Sequence, residues 1–334
     1  MIRFAVVGLG VGRNRARMIV DTDGAELTAV VDLDEELAKT VGDELGCEWT
    51  TKLEDVLGRA DVDTVVVTTP SGLHADIGVQ VADAGKHVIV TKPMDVSTSA
   101  CDRLIDACDS ASVMLAVDYQ SRYVDGNCRI AEAISRGWLG DLILGEARFK
   151  LFRGAEYFAS GSGWRGSWAM DGGGSLANQG AHLLDMLLWY MGDVDSVYAE
   201  TAVMNHDIET EDLGMAILNF TSGAKGGLVG TTTFPQEAYW SFEVHGTQGG
   251  ILIDEMLNGK YRVFGSALEE RMAGEEEGSP VHSIIEDVVS HLENGTELRV
   301  DGVEGRRSVA LLEAIYCSAR DGRSVKMPQE KSCR

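Results

Sequence analysis

The sequence predicts an α/β protein in two parts. Residues 1–118 read as a doubly wound domain on a parallel sheet, and residues 119–334 as an α+β domain on a mainly antiparallel sheet. Three observations carry this. Short Val-rich runs alternate with helix-compatible segments as far as Val117, as strands buried on both faces of a parallel sheet do. Beyond Asp118 the strands are longer and looser, joined by connections such as Thr221-Ser222-Gly223 and Gly246-Thr247-Gln248-Gly249-Gly250. At the start, Phe4-Ala5-Val6-Val7 runs into Gly8-Leu9-Gly10-Val11-Gly12-Arg13, and Ala29-Val30-Val31 ends on Asp32. That is the order of parts that holds a dinucleotide.

In the first domain the strands are expected at 2–7, 27–31, 64–68, 87–90 and 113–117, with helices at 34–45, 53–57, 75–84 and 98–108. The first strand delivers the chain to a glycine turn, and the next helix points its N-terminal N–H groups at phosphates. Asp32, about twenty residues past Gly12, can accept hydrogen bonds from a ribose diol. The usual spacing G-x-G-x-x-G places its third glycine where this chain has Arg13. Gly12 is therefore expected to do the third glycine's work in a shortened loop, with Val11 in the turn. Arg13 then faces either the phosphates or solvent. In the second domain a helix at 127–136 precedes strands at 142–152, 194–203, 212–220, 225–233, 240–245 and 250–253. Leu213, Met215 and Ile217 alternate with other residues, as a two-faced sheet requires. Such a sheet often pairs with a second subunit, so a homodimer or homotetramer is expected. The glycine-rich stretch 161–174 reads as a loop over the site.

The bulk properties exclude several classes. The net charge of −24, from 53 acidic and 29 basic residues, repels nucleic acid and anionic membranes. Runs such as Asp32-Leu33-Asp34-Glu35-Glu36 and Glu275-Glu276-Glu277, with arginine outnumbering lysine, point to an acidic, halophile-like surface suited to a salt-rich cytoplasm. No apolar run reaches membrane-spanning length, and strand-forming residues begin almost at Met1. A cytoplasmic protein is expected. Cys47, Cys101, Cys108, Cys128, Cys317 and Cys333 form no CxxC pair and no metal-ligand spacing, so buried thiols and no metal are expected.

Three clusters can carry chemistry. Thr68-Thr69-Pro70-Ser71-Gly72-Leu73-His74 follows one strand and Val90-Thr91-Lys92-Pro93 the next. The third runs Gly172-Gly173-Gly174-Ser175-Leu176-Ala177-Asn178-Gln179-Gly180-Ala181-His182-Leu183-Leu184-Asp185. Partial burial of Lys92 after a buried strand would lower its pKa towards the range useful for proton transfer. From position alone, a surface lysine at a strand end is the stronger reading. Asn178, His182 and Asp185 share one face of a helix by spacing. A lone histidine there is more often structural, but the glycine-rich approach lets other backbone come close.

Taken together these motifs, with Trp164-Arg165 and the closing segment 308–328, resemble the glucose–fructose oxidoreductase/inositol dehydrogenase (Gfo/Idh/MocA) family over nearly the whole chain. The resemblance implies an N-terminal Rossmann domain and a C-terminal domain on a large, open, mostly antiparallel sheet. It implies an oxidoreductase acting on a sugar or cyclitol hydroxyl, with Lys92 as general acid/base together with His182, and Asn178 beside them. Cofactor contacts would come from Gly8, Gly10, Val11, Gly12, Arg13, Asp32, Thr69, Pro70, His74, Lys92, Trp164 and Arg165. Lys92, Arg122, Gln179 and His182 would meet the substrate. Two departures stand out. The family usually reads Glu-Lys-Pro where this chain has Thr91-Lys92-Pro93, and many members carry aspartate at the position of Asn178, which cannot accept a proton. Asp32 would repel a 2′-phosphate, so NAD is favoured over NADP, with Arg13 as the complicating residue. An NAD-dependent glycoside hydrolase and a non-catalytic nucleotide-binding sensor are the competing classes.

Overall fold

The computed structural model describes residues 1–160, 163–235, 238–255, 259–274 and 279–327. Gly161, the acidic run Glu275-Glu276-Glu277, Pro328 and Cys333 lie outside the described residues. The chain divides into two compact units, 1–119 with 281–306, and 120–280 with 307–334.

The first unit alternates β1 (Ile2–Val7), α1 (Gly12–Val20), β2 (Ala25–Val31), α2 (Glu35–Leu45), β3 (Glu48–Thr50), α3 (Leu53–Leu57), β4 (Thr64–Val67), α4 (His74–Asp83), β5 (His87–Thr91), α5 (Thr98–Ala111) and β6 (Leu115–Asp118). All six strands are parallel, in the order β3-β2-β1-β4-β5-β6. Strand order reverses between β1 and β4, which opens a crevice beyond their carboxyl ends. Val65, Val66, Val67, Val88, Ile89 and Val90 are fully buried, as continuous apolar runs in a parallel sheet demand. The strand absent from the sequence reading is β3: three residues at the sheet edge, too short to show a period.

The second unit holds α6 (Asp125–Ser135), β7 (Leu142–Lys150), α7 (Ala155–Ala159), α8 (Ala181–Met191), β8 (Val194–Ala202), β9 (Leu213–Phe220), β10 (Lys225–Thr231), β11 (Tyr239–Gly246), β12 (Gly249–Glu255), β13 (Lys260–Phe264) and α9 (Ser266–Met272). After α10 (Ile284–Asn294) and α11 (Gly302–Asp321), β14 (Val325–Lys326) closes the sheet β13-β12-β11-β7-β10-β9-β8-β14. Among the described residues of this sheet, only β7 and β10 pair in parallel. Helix α8 is apolar nearly all round and packs on β7. Each leucine it buries (Leu183, Leu184, Leu187, Leu188) contributes about 1.5–3 kcal/mol. Along β9 the core side is Gly214, Ala216, Leu218 and Phe220, whereas Met215 and Ile217 are 51% and 59% exposed. β9 thus has the two distinct faces that the alternation predicted, with Met215 and Ile217 on the outer one.

The chain crosses between units more than once, where a single boundary at 118/119 was expected. Residues 281–306 join the first unit because Val117 N–H donates to the Val300 carbonyl (3.0 Å), Arg306 pairs with Asp102, and Gly302 and Gly305 press against Leu115 and Val117. Among the described residues, no helix is long and apolar enough to cross a membrane.

Candidate active site

In the first unit the three glycines do three different jobs. Gly8 has φ +87°, and a Cβ there would lie 3.0 Å from the backbone of Thr68 and Thr69. Gly12 is the first residue of α1; a Cβ would overlap Thr68 Oγ1 and sit 3.0 Å from Val6 Cγ1. Gly10 has nothing within 4 Å of where a side chain would begin. Two glycines thus let helix, strand and neighbouring turn close together, and the third leaves open the side from which a pyrophosphate approaches. No side chain caps the N-terminus of α1, so its first N–H groups remain available to an anion. Asp32 is tied to this loop: Leu9 N–H donates to Oδ2 (2.6 Å) and Asp34 N–H to Oδ1 (2.9 Å). A carboxylate has lone pairs beyond those two, enough for a diol. The residues present fit a dinucleotide.

Arg13 settles differently from expectation. Its guanidinium, like that of Arg17 (2.6 Å), pairs with Glu44 on α2, and these arginines hold the Glu44 carboxyl below its usual range. As the second residue of α1 it turns its side chain towards α2 and away from the glycine loop. Val11, 53% exposed, turns outward. His74 is also an indirect participant. Its ring is buried, with Nε2 2.8 Å from the Thr69 carbonyl and Nδ1 3.0 Å from the Pro93 carbonyl. It therefore clamps the Thr69-Pro70 turn against the Lys92-Pro93 turn. Two carbonyls favour a second ring proton, but burial outweighs them and pushes the pKa down. Lys92 is half-buried just past β5, and Thr91 Oγ1 reaches only the Val67 carbonyl (3.4 Å). One element had no signal in the sequence, the buried ion pair between Arg15 on α1 and Asp118 at the end of β6.

In the second unit the decisive feature is a π-helical turn, Ser175–Gln179, closed by Gly180 N–H on the Ser175 carbonyl (2.9 Å). Helix α8 begins only at Ala181, so Asn178, His182 and Asp185 do not lie on one continuous helix as their spacing suggested. The turn is anchored by Glu211, which is 3% exposed. Its carboxylate accepts from Gly174 N–H (2.9 Å), Leu176 N–H (2.8 Å), Ser175 Oγ (3.3 Å) and Tyr316 Oη (3.0 Å). Burial pushes the Glu211 carboxyl up, and the backbone donors pull it back. Side chains at Gly173 and Gly174 would overlap Tyr316 Oη and the Glu211 carbonyl, so only glycines admit this anchor.

The turn presents a polar row. Asn178 Nδ2 donates to Asp171 Oδ1 (2.7 Å), Gln179 Nε2 to Asn178 Oδ1 (3.1 Å) and Tyr157 Oη (3.0 Å), and Arg153 Nη2 to Gln179 Oε1 (3.0 Å). His182 Nδ1 lies 3.4 Å from Ser121 Oγ. Arg122, expected at the substrate, is 4% exposed. Its Nε and Nη2 donate to Asp185 (2.9 and 2.7 Å), and its guanidinium lies over Trp189. The pair fixes α8 to the turn at 120–123. Arg165, expected with Trp164 beside the cofactor, lines a pocket of about 770 Å³ together with Phe152, Arg153, Phe158 and His206. The Arg165 guanidinium rests over both Trp164 and Tyr157. The pocket wall at 204–206 is held by Asp212, which accepts from Met204, Asn205 and His206 N–H and faces His206 Nδ1 (2.9 Å). Glu211, Asp212 and His206 escaped the sequence reading; the adjacent acids just before an apolar strand were the available signal.

Residues 2–119 match the family model for the oxidoreductase family with an NAD-binding Rossmann fold, and residues 128–252 match the GFO/IDH/MocA C-terminal domain. The WlbA dehydrogenase from Bordetella pertussis, solved in complex with NADH and UDP-GlcNAcA, is 33% identical, with a TM-score of 0.89 over 98% of this chain and 99% of that one. D-apiose dehydrogenase of Paraburkholderia graminis is 26% identical over 97% of this chain and 89% of its own length. Inositol 2-dehydrogenase of Rhizobium meliloti is 23% identical over 98% of this chain and 99% of its own.

Proposed function

Because this chain belongs to the Gfo/Idh/MocA family of oxidoreductases, we propose that it oxidises a secondary hydroxyl of a sugar, sugar derivative or cyclitol to the ketone, or reduces the matching ketone. The observation that carries the reading is the glycine cradle beside Asp32, with Gly10 open while Gly8 and Gly12 are closed on Thr68. Gly8, Gly10, Gly12, Asp32, Thr69 and Pro70 hold the dinucleotide, and His74 holds the last two in place. NAD is preferred to NADP because a 2′-phosphate would meet the Asp32 charge. When bound, the nicotinamide supplies the hydride acceptor.

The chain's own residues manage the proton. Oxidation of a secondary alcohol releases one hydride from carbon and one proton from oxygen. Lys92 takes that proton at Nζ and His182 shares the acid–base work. Asn178 and Gln179 orient the substrate by hydrogen bonds, since an amide cannot act as a base. The exposed apolar face carrying Tyr198, Met215 and Ile217 supports a homodimer or homotetramer built on the second sheet. The acid-rich composition supports a salt-rich cytoplasm as the working environment. The test is to incubate the full chain with NAD and a panel of sugars and cyclitols at high salt, following nicotinamide reduction by absorbance. Reduction with at least one polyol is expected. If no polyol reduces NAD and aryl glycosides release sugar instead, the reading gives way to hydrolysis.

A further inference from the structure

The pocket of the second unit holds two arginines without a carboxylate partner among the described residues, in an acidic chain. Acidic residues outnumber basic ones 53 to 29, and Arg3, Arg13, Arg15, Arg17, Arg59 and Arg122 each pair with a carboxylate. Arg153 and Arg165, both lining the pocket of about 770 Å³, pair with none among the described residues. Arg153 Nη2 donates to an uncharged partner, Gln179 Oε1 (3.0 Å), and its Nε is buried with no hydrogen-bond partner among the described residues. Arg165 Nη1 donates to Ser160 Oγ (2.8 Å) and to its carbonyl (3.4 Å). Both guanidinium carbons lie over the Tyr157 ring, at 4.6 and 4.8 Å from its centroid. Tyr157 thus holds both guanidiniums beside one ring.

Like charges gathered without a counter-charge cost free energy, and a partly buried guanidinium lacking a partner adds to that cost. A ligand that brings the missing negative charge recovers it, and the fork of an arginine matches the oxygens of a carboxylate or a phosphate. The pocket's own acids do not fill this role. Asp207 and Glu209 are exposed, and Glu209 accepts from Trp168 N–H (3.2 Å). We propose that Arg153 and Arg165, stacked on Tyr157, form a subsite for an anionic group on the sugar, either the carboxylate of a sugar acid or a phosphate. The proposal rests on the dehydrogenase reading for its sugar and adds the charge. Gln179 connects the two parts, because the amide proposed to orient the substrate is the one that Arg153 holds.

The experiment is calorimetric titration of the NAD-loaded full chain with D-glucuronate, D-glucose 6-phosphate, UDP-glucose and D-glucose. It is repeated with Arg165→Gln and with Arg153→Gln/Arg165→Gln. At least one anionic probe is expected to bind about tenfold or more tightly than D-glucose, the scale of charge-assisted recognition. The double variant abolishes that preference. Preference for glucuronate identifies a carboxylate site, and preference for either phosphorylated probe a phosphate site. Since Arg153 also supports Gln179, Arg165→Gln keeps the test independent of any folding defect, and it alone must lower the anionic preference. Equal binding of D-glucose and all three anions overturns the proposal. So does a preference that survives both variants, or a loss of NAD affinity in place of sugar affinity. Nicotinamide reduction measured on the same samples separates the two ideas. Selective anion binding with no reduction by any polyol of the panel removes the dehydrogenase reading and keeps the subsite, whereas oxidation of neutral sugars with no anionic preference does the reverse.

Discussion

Asp185→Asn preserves the shape of its side chain and removes the charge facing Arg122. Both side chains are almost wholly buried, at 5% and 2% exposure, and both bonds are short and parallel, at 2.9 and 2.7 Å. Removing one partner of such a pair leaves a desolvated guanidinium behind, which costs about 3–5 kcal/mol. In a unit of this size each kcal/mol moves the melting temperature by about 2–4 °C, so a fall of roughly 6–20 °C is expected. Asp76→Asn is the control, because its pair with Arg103 is exposed on both sides (58% and 60%) and is worth at most about 1 kcal/mol. Near-ultraviolet circular dichroism melts at one fixed salt concentration read both. The apolar replacement Arg122→Met/Asp185→Leu should recover most of the loss, since no buried charge remains. A melting temperature for Asp185→Asn within about 2 °C of wild type would refute the structural assignment of the pair.

Three further predictions concern the first unit. Gly12→Ala places a methyl over Thr68 Oγ1 and against Val6, so it should cost about 1–3 kcal/mol by overpacking and weaken NAD binding; a chemical denaturation midpoint equal to wild type contradicts this. Asp32→Ala should weaken NAD more than NADP in fluorescence titration, and an equal loss of both removes the ribose assignment. His74 has a pKa lowered from 6.5 by burial. As pH falls the unfolded chain takes up the proton first, so its contribution to stability is present above about pH 6.5 and is lost below it. His74→Gln should flatten the stability profile between about pH 7 and pH 5, and an unchanged slope there would assign the effect elsewhere.

How much of this was legible depended on whether a signal was local. The alternation of Val-rich runs with helices is written into consecutive residues, so five of the six parallel strands and the turn after each were readable. The crowding at Gly12 was only half local: Val6 stands on the strand just before it, but Thr68 comes from beyond β4. The place of Arg13 was not readable, since its partner Glu44 lies on α2, and nothing in the residues near Arg13 points there. The spacing of Asn178, His182 and Asp185 misled for a related reason. It assumes 3.6 residues per turn, and the π turn at Ser175–Gln179 breaks that period. What holds the π turn, Glu211 and Tyr316, comes from distant parts of the chain. Arg122 shows the same limit: its buried partner Asp185 lies 63 residues away, and no local pattern links the two.

The most direct test of the central claim is steady-state turnover of Lys92→Ala on the best polyol found in the panel, with NAD affinity measured in parallel. A fall in kcat of about 10²–10⁴-fold is expected, the scale of general acid–base catalysis, with NAD affinity nearly unchanged. Turnover near wild type would remove Lys92 from the proton path and with it the proposed mechanism.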